Sequence, residues 1–285
     1  MTAADNISQF VPSQPKIRIE TITPELAQEY LGCNTHNRNV RVNKVKAYAE
    51  DMRSGNWMQN GDSIRFSNSG TLLDGQHRLM AVIEAQIPIV MLVVRGLPLE
   101  SQVTIDTGAH RKFSDYLTLE NVRNAAVVAS ATRSVLLWER GSRRFGGGGS
   151  NSAVTNPQLK DCWERNQEWL EYAAPRIQRV LHAVRLPSTV TGALTWAFDH
   201  IDAGDSEFFW DRLVSDELHE AGSPIFALRR LLLAGSEDKR RGSRNLTYLA
   251  AVTAKAWNKY RDGDSCEILK FSIGGASPER FPEPK

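Results

Sequence analysis

Apolar and polar residues alternate from Lys16 to Thr23 in "KIRIETIT", the pattern of a half-buried strand. "TPELAQEYLG" follows and predicts a short helix, with Thr23 as its N-cap and Pro24 in the first helical position. The period then changes. Val42, Val45, Tyr48, Ala49 and Met52 recur at helical spacing, and Gly55 ends the stripe. "SIRFS" and "GTLLD" read as two strands joined by a turn at 68–70. A helix is predicted from Gln76 to Gln86, and "PIVMLVV" as a further strand.

From Asn121 onward the pattern is helical. "NAAVVASATRSVLLWER" predicts one helix, and others are expected over 156–183, 188–202, 205–219, 223–235 and 244–261. Between them "GSRRFGGGGSNS" reads as a flexible glycine-rich loop, taken as 141–155. Near the end only "CEILKFSI" looks strand-like. The aromatic positions Trp163, Trp169, Trp196, Phe208, Phe209, Trp210 and Trp257 read as core. The expectation is an α+β fold in two parts. Residues 1–15 form a polar, disordered tail, 16–118 an α+β domain and 119–285 a mainly helical domain.

Composition narrows the classes. The 285 residues suffice for a substantial core, and a net charge of +2 does not indicate a wholesale nucleic-acid coat. Cys33, Cys162 and Cys266 are far apart and odd in number, which fits neither a disulfide framework nor a metal spacing. The longest apolar stretch, Ile87 to Val94, is strand-sized and contains a proline. A cytoplasmic protein without a membrane segment is expected. The scattered histidines give no zinc spacing, and no Walker or Gly-x-Ser-x-Gly segment appears.

The candidate chemistry sits in "LLDGQHRLMAVIEA". A strand, a glycine and a helix N-terminus together make an anion site, because the first-turn amides point outward and the helix dipole favours negative charge. His77 and Arg78 occupy that first turn, where cations are unfavourable unless something negative is held nearby. Two readings answer this. Either a phosphate is the counter-charge, or Arg78 pairs with Asp74 and His77 faces solvent. Upstream, "NRNVRVNK" offers Arg38 and Arg41 as a basic rim or an ordinary charged helix end. Trp57 and Asn60 in "WMQNGDSI" permit base stacking, although a core position suits Trp57 better.

These residues resemble the phosphate-binding box of the ParB/sulfiredoxin-like superfamily, in which Gly-Glu-Arg-Arg or Gly-Cys-His-Arg opens a helix. The likeness extends over 16–118, with "TIDTGAHRKFSD" in the place of a downstream Glu-Asn-x-x-Arg segment. The C-terminal "AVTAKAWNKYRDGDSCEILKFS" is similar to the ending of phage and prophage proteins that carry such a domain. The resemblance implies a nucleotide site holding ATP or CTP with Mg²⁺, and phosphoryl transfer or hydrolysis. Gly75, Gln76, His77, Arg78, Thr107, Arg111 and Arg38 are then the phosphate- and nucleotide-binding residues. Asp74 and Asp106 serve as metal ligand or base, or else only as turn and cap residues. Sulfinic-acid repair is excluded, because Gln76 stands at the position of the reactive cysteine and has no thiolate.

The helical half adds Arg143 and Arg144 and the cluster Lys239, Arg240, Arg241 and Arg244, which suit a nucleic-acid backbone or an ordinary solvated surface. The expected protein is a DNA-associated nucleotide phosphotransferase or NTPase of mobile-element type. The alternative is a non-catalytic DNA-binding or regulatory protein using the same phosphate site. Self-association is compatible with both.

Overall fold

The computed structural model describes residues 14–34, 39–105, 112–145, 154–215, 222–237, 245–274 and 277–285. The chain divides into two compact units, Met1–His110 with Ser150–Gln158, and Arg111–Gly149 with Leu159–Lys285.

The first unit is α+β. Strand β1 (Lys16–Ile22) leads into α1 (Pro24–Gly32) and α2 (Val42–Arg53). Strands β2 (Ser63–Ser67) and β3 (Leu72–Asp74) precede α3 (Gln76–Ala85) and β4 (Ile89–Leu97). The sheet order is β1-β4-β2-β3. β1 runs antiparallel to β4, β4 parallel to β2, and β2 antiparallel to β3. As the sequence indicates, Thr23 caps α1, its Oγ1 accepting from the Leu26 amide at 3.2 Å. Helix α3 packs against α1 and α2. Val45, Ala49 and Met52 from α2 and Leu79 and Val82 from α3 close over Ile64, Phe66, Leu72 and Val93 of the sheet, forming one apolar core.

The second unit is helical among its described residues: α4 (Phe113–Leu119), α5 (Ala125–Glu139), α6 (Asn156–Val184), α7 (Ser188–Ile201), α8 (Ala203–Val214), α9 (Pro224–Glu237) and α10 (Leu246–Arg261). The first residues of α6 belong to the first unit. Within α6, Asn166 leaves helical geometry, with φ −124° and ψ 18°. The core is aromatic: Phe198 stacks on Trp257 with ring centroids 4.1 Å apart, and Phe209 and Trp210 pack edge to face at 5.2 Å.

Three expectations need correction. "CEILKFSI" forms no strand. Leu269 inserts into the helical core, while side chains take the segment's carbonyls: Arg230 Nη2 donates to Glu267 O at 2.6 Å and Lys255 Nζ to Lys270 O at 2.7 Å. Phe208 is exposed and stacks on Tyr260, because it lies on the outer side of α8 while Phe209 and Trp210 take the core. The helix expected over 205–219 begins at Ala203, where the Asp202 side chain caps it, and ends at Val214. No helix among the described residues is long and apolar enough to cross a membrane.

Candidate phosphate-binding site

The turn between β3 and α3 is built around Gly75. Its φ is +106°, and a Cβ there would lie 2.5 Å from Ile64 Cδ1 and 3.3 Å from Ile64 Cα. Both the backbone conformation and the close approach to β2 demand glycine. The register of β2 shifts at Arg65 and Phe66, so the sheet is irregular beside the turn.

Helix α3 then starts without a capping side chain and without an acidic residue in its first turn. Thr23 caps α1, Asp202 caps α8 and Asn245 caps α10, whereas α2, α5 and α7 also start without a side-chain cap or a first-turn acid. What sets α3 apart is that Gly75 and Arg78 stand at its start. The uncapped start and the dipole leave the mouth of α3 electropositive.

Gln76, His77 and Arg78 are each held by a different part of the unit. Gln76 is buried, and its Oε1 accepts from Asn34 Nδ2 at 3.1 Å. His77 is also buried rather than facing solvent, and its Nε2 accepts from the Arg41 amide at 3.0 Å. A ring nitrogen that accepts carries no proton, so His77 is neutral in this arrangement and adds no charge to the site. The physical reason is packing: the first turn of α3 is covered by the chain leading into α2, and a buried imidazole takes the donor offered there.

Arg78 is the one cation in the first turn of α3. Its side chain is 13% exposed and reaches across the ends of β2 and β3. Nη2 donates to Asp74 Oδ2 and to Ser63 O, both at 2.8 Å, and Nη1 to Asp62 Oδ2 at 3.4 Å. Its Nε is buried and has no hydrogen-bond partner. Asp74 thus supplies a negative charge close to the helix start, and two carboxylates with a carbonyl hold the guanidinium in a fixed plane. Beside it a cavity of about 90 Å³ opens among Trp57, Met58, Asn60, Asp62 and Val90. Trp57 packs edge to face on Tyr48 at 5.3 Å, at the margin of the core.

The structure therefore brings together Asp74, Gly75, Gln76, His77 and Arg78. It adds Asp62, the Ser63 carbonyl, Asn34 and the Arg41 amide, none of which the motif indicated. No local signal marks Asp62, because its contact with Arg78 spans two strands. Arg38, Asp106, Thr107 and Arg111 lie outside the described residues, as do Lys239, Arg240, Arg241 and Arg244.

In the second unit Arg143 has a structural partner set. Its Nε donates to both carboxylate oxygens of Glu283 at 3.0 and 2.9 Å, and its guanidinium lies 3.6 Å from the Trp138 ring centroid. Arg144 is exposed.

A magnesium ion held with a nucleotide needs one or two free carboxylates beside the phosphates. Of the two carboxylates expected to serve a metal, Asp74 is paired with Arg78 and Asp106 lies outside the described residues. A cation approaching Asp74 would meet the guanidinium at short range.

No family model, curated protein or solved structure matches the chain.

Proposed function

We propose that the first unit is a phosphate-recognition module of the ParB/sulfiredoxin-like kind that binds a nucleotide, ATP or CTP, at the start of α3. The observation that carries this reading is the pairing of an uncapped helix N-terminus, entered through Gly75, with a rigidly held arginine at its third position. Backbone amides and a fixed guanidinium are the donor set a phosphate needs. The commitment of Asp74 to Arg78 favours binding over turnover, because its Oδ2 is occupied by the guanidinium rather than open to an acceptor hydroxyl. No catalytic step through a metal is part of this reading.

A second reading has its own observation. Asp74 and Asp62 already neutralise Arg78, so the motif would serve as a scaffold that locks α3 to the ends of β2 and β3.

Calorimetric titration of ATP, CTP and GTP into the full chain, with and without Mg²⁺, separates the two. The phosphate reading expects binding of one nucleotide at about micromolar affinity. Arg78→Ala should weaken it by about tenfold or more, the loss expected for a charge-assisted hydrogen bond. Circular dichroism of the variant controls for folding. No binding of any nucleotide by the wild-type chain leaves the scaffold reading in place. A DNA titration on the same protein tests the backbone alternative, which predicts affinity falling steeply with salt.

A further inference from the structure

Strand β1 is the outer strand of its sheet, and no described strand pairs with its free side. It runs seven residues beside β4 without a shift in register. Such an edge presents unpaired N–H and C=O groups, which proteins commonly blunt with a proline, a bulge or a very short strand. β1 has none of these within Lys16–Ile22, although Lys16, Arg18 and Glu20 place charge along it, and charge is another device that discourages indiscriminate pairing.

The two faces of β1 differ. Ile17, Ile19 and Thr21 share a face with Val94, Leu92 and Val90 of β4, whereas Arg18 and Glu20 lie opposite Val93 and Met91 on the face the helices cover. Exposure on the apolar face is highest at the edge: Ile17 is 61% and Ile19 70% exposed, Val90 46%, and Leu92 and Val94 are half-buried. The most exposed positions of this apolar face thus lie on the edge strand, beside which no described strand runs.

We propose that β1 pairs antiparallel with β1 of a second copy of this chain, joining two four-stranded sheets into one. A two-fold axis perpendicular to the sheet keeps the same face upward in both copies, so each residue must meet one of its own parity. Three central registers remain. Centring on Arg18 sets two arginines against each other, and centring on Glu20 sets two glutamates against each other. Like charges directly opposite destabilise a strand pair, and opposite charges stabilise it. Centring on Ile19 sets Ile19 against Ile19 and places Arg18 opposite Glu20 twice, where it would join the Arg95 and Tyr30 of the same chain that already donate to that carboxylate. It also pairs the strand over its whole length, with Lys16 opposite Ile22. The sequence "KIRIETI" is thus complementary to itself in one register. One strand per copy is a small contact beside the ~1,200–2,000 Å² of standard interfaces, so the association is expected to depend on concentration.

Sedimentation of the full chain over about 1–100 μM, the range suited to small interfaces, tests the proposal. The expected mass rises from one chain of 31.9 kDa towards two. Ile19→Lys places two ammonium groups at the centre of the pair and should leave only monomer. Arg18→Glu, also at an exposed position, should weaken dimerisation at least tenfold. Ile268→Lys, at an exposed residue of the second unit, should dimerise like the wild type. Thermal melts confirm that each variant is folded. A wild-type chain that stays monomeric throughout overturns the proposal, as does an Ile19→Lys or Arg18→Glu chain that dimerises unchanged.

Discussion

Arg78 shows how little a motif says about the state of its side chains. Its position at an electropositive helix start called for a counter-charge, and Asp74, four residues earlier, is 2.8 Å away. His77, equally polar in the motif, is buried and accepts a hydrogen bond from the Arg41 amide. A comparable network ties β1 to α1 and β4. Arg95 donates to Glu20 Oε1 at 2.5 Å, and the Tyr30 hydroxyl donates to Glu20 Oε2 at 2.6 Å. The Arg95 hydrogen bond, more than any other contact, holds the Glu20 carboxyl below its ordinary 4.5, while burial and the Glu20 hydrogen bond push Tyr30 up to about 12. The lowered Glu20 value means that the folded chain binds its proton less readily than the unfolded chain. Its contribution to stability is therefore present above the unfolded value and lost as pH falls through the folded one. Urea midpoints of the wild type should drop as pH falls below the ordinary glutamate value, and Glu20→Gln should flatten that drop. Identical slopes for the two proteins would show that the network adds no pH-dependent stability.

Among elements, periodicity served well where an element packs on one side. The Thr23 cap of α1 and the stripe of α2 reappear in the structure, whereas β1 forms as a strand with the apolar side of its alternation outward: Ile17 and Ile19 are exposed, and Arg18 and Glu20 lie on the side of the core. Periodicity failed at "CEILKFSI", whose alternation has no strand to pair with among the described residues of its unit; long cationic side chains satisfy its carbonyls instead. Close packing of helices also leaves little trace in sequence. Helices α5 and α7 meet at Gly192, where a Cβ would stand 3.0 Å from Ala131 Cα and 3.1 Å from Ala131 Cβ. The glycine lets two backbones approach, and any branched side chain must push them apart. Gly192→Val should destabilise the chain by about 1–3 kcal/mol, the range for overpacking a core. A denaturant melt measures it directly, and an unchanged midpoint would refute the close-packing account.

At the scale of the whole molecule, the chain's path is not its order in sequence. Ser150–Gln158 belongs with the first unit, where Thr155 Oγ1 donates to the buried Asp51 at 3.0 Å. The segment 277–285 returns along α10. Asn258 holds it by both amide atoms, donating to Glu283 O at 2.9 Å and accepting from the Lys285 amide at 3.1 Å. Phe281 packs against Trp138 and Phe145, and Arg143 pairs with Glu283. Arg143 thus has a role in holding this segment to the helical core. Phe281→Ala should cost about 2 kcal/mol, half the loss for a fully buried phenylalanine. It should also speed hydrogen exchange at the amides of Glu279 and Lys285. Unchanged exchange would mean that the segment is held without its aromatic contact.

The sequence by itself determined the local features: the helices and strands whose apolar period matches one buried face, the cap at Thr23, and a glycine turn feeding the start of α3. Each depends on residues a few positions apart, where side-chain spacing and backbone preference act directly. Only the tertiary structure decided that Arg78 is held by Asp62 and Ser63, that His77 is buried and neutral, and that Arg143 faces Glu283. Those partners are 16, 15, 36 and 140 positions apart along the chain. Their meeting depends on how strands and helices pack, and a hydrogen-bonding side chain takes whichever partner that packing brings within reach.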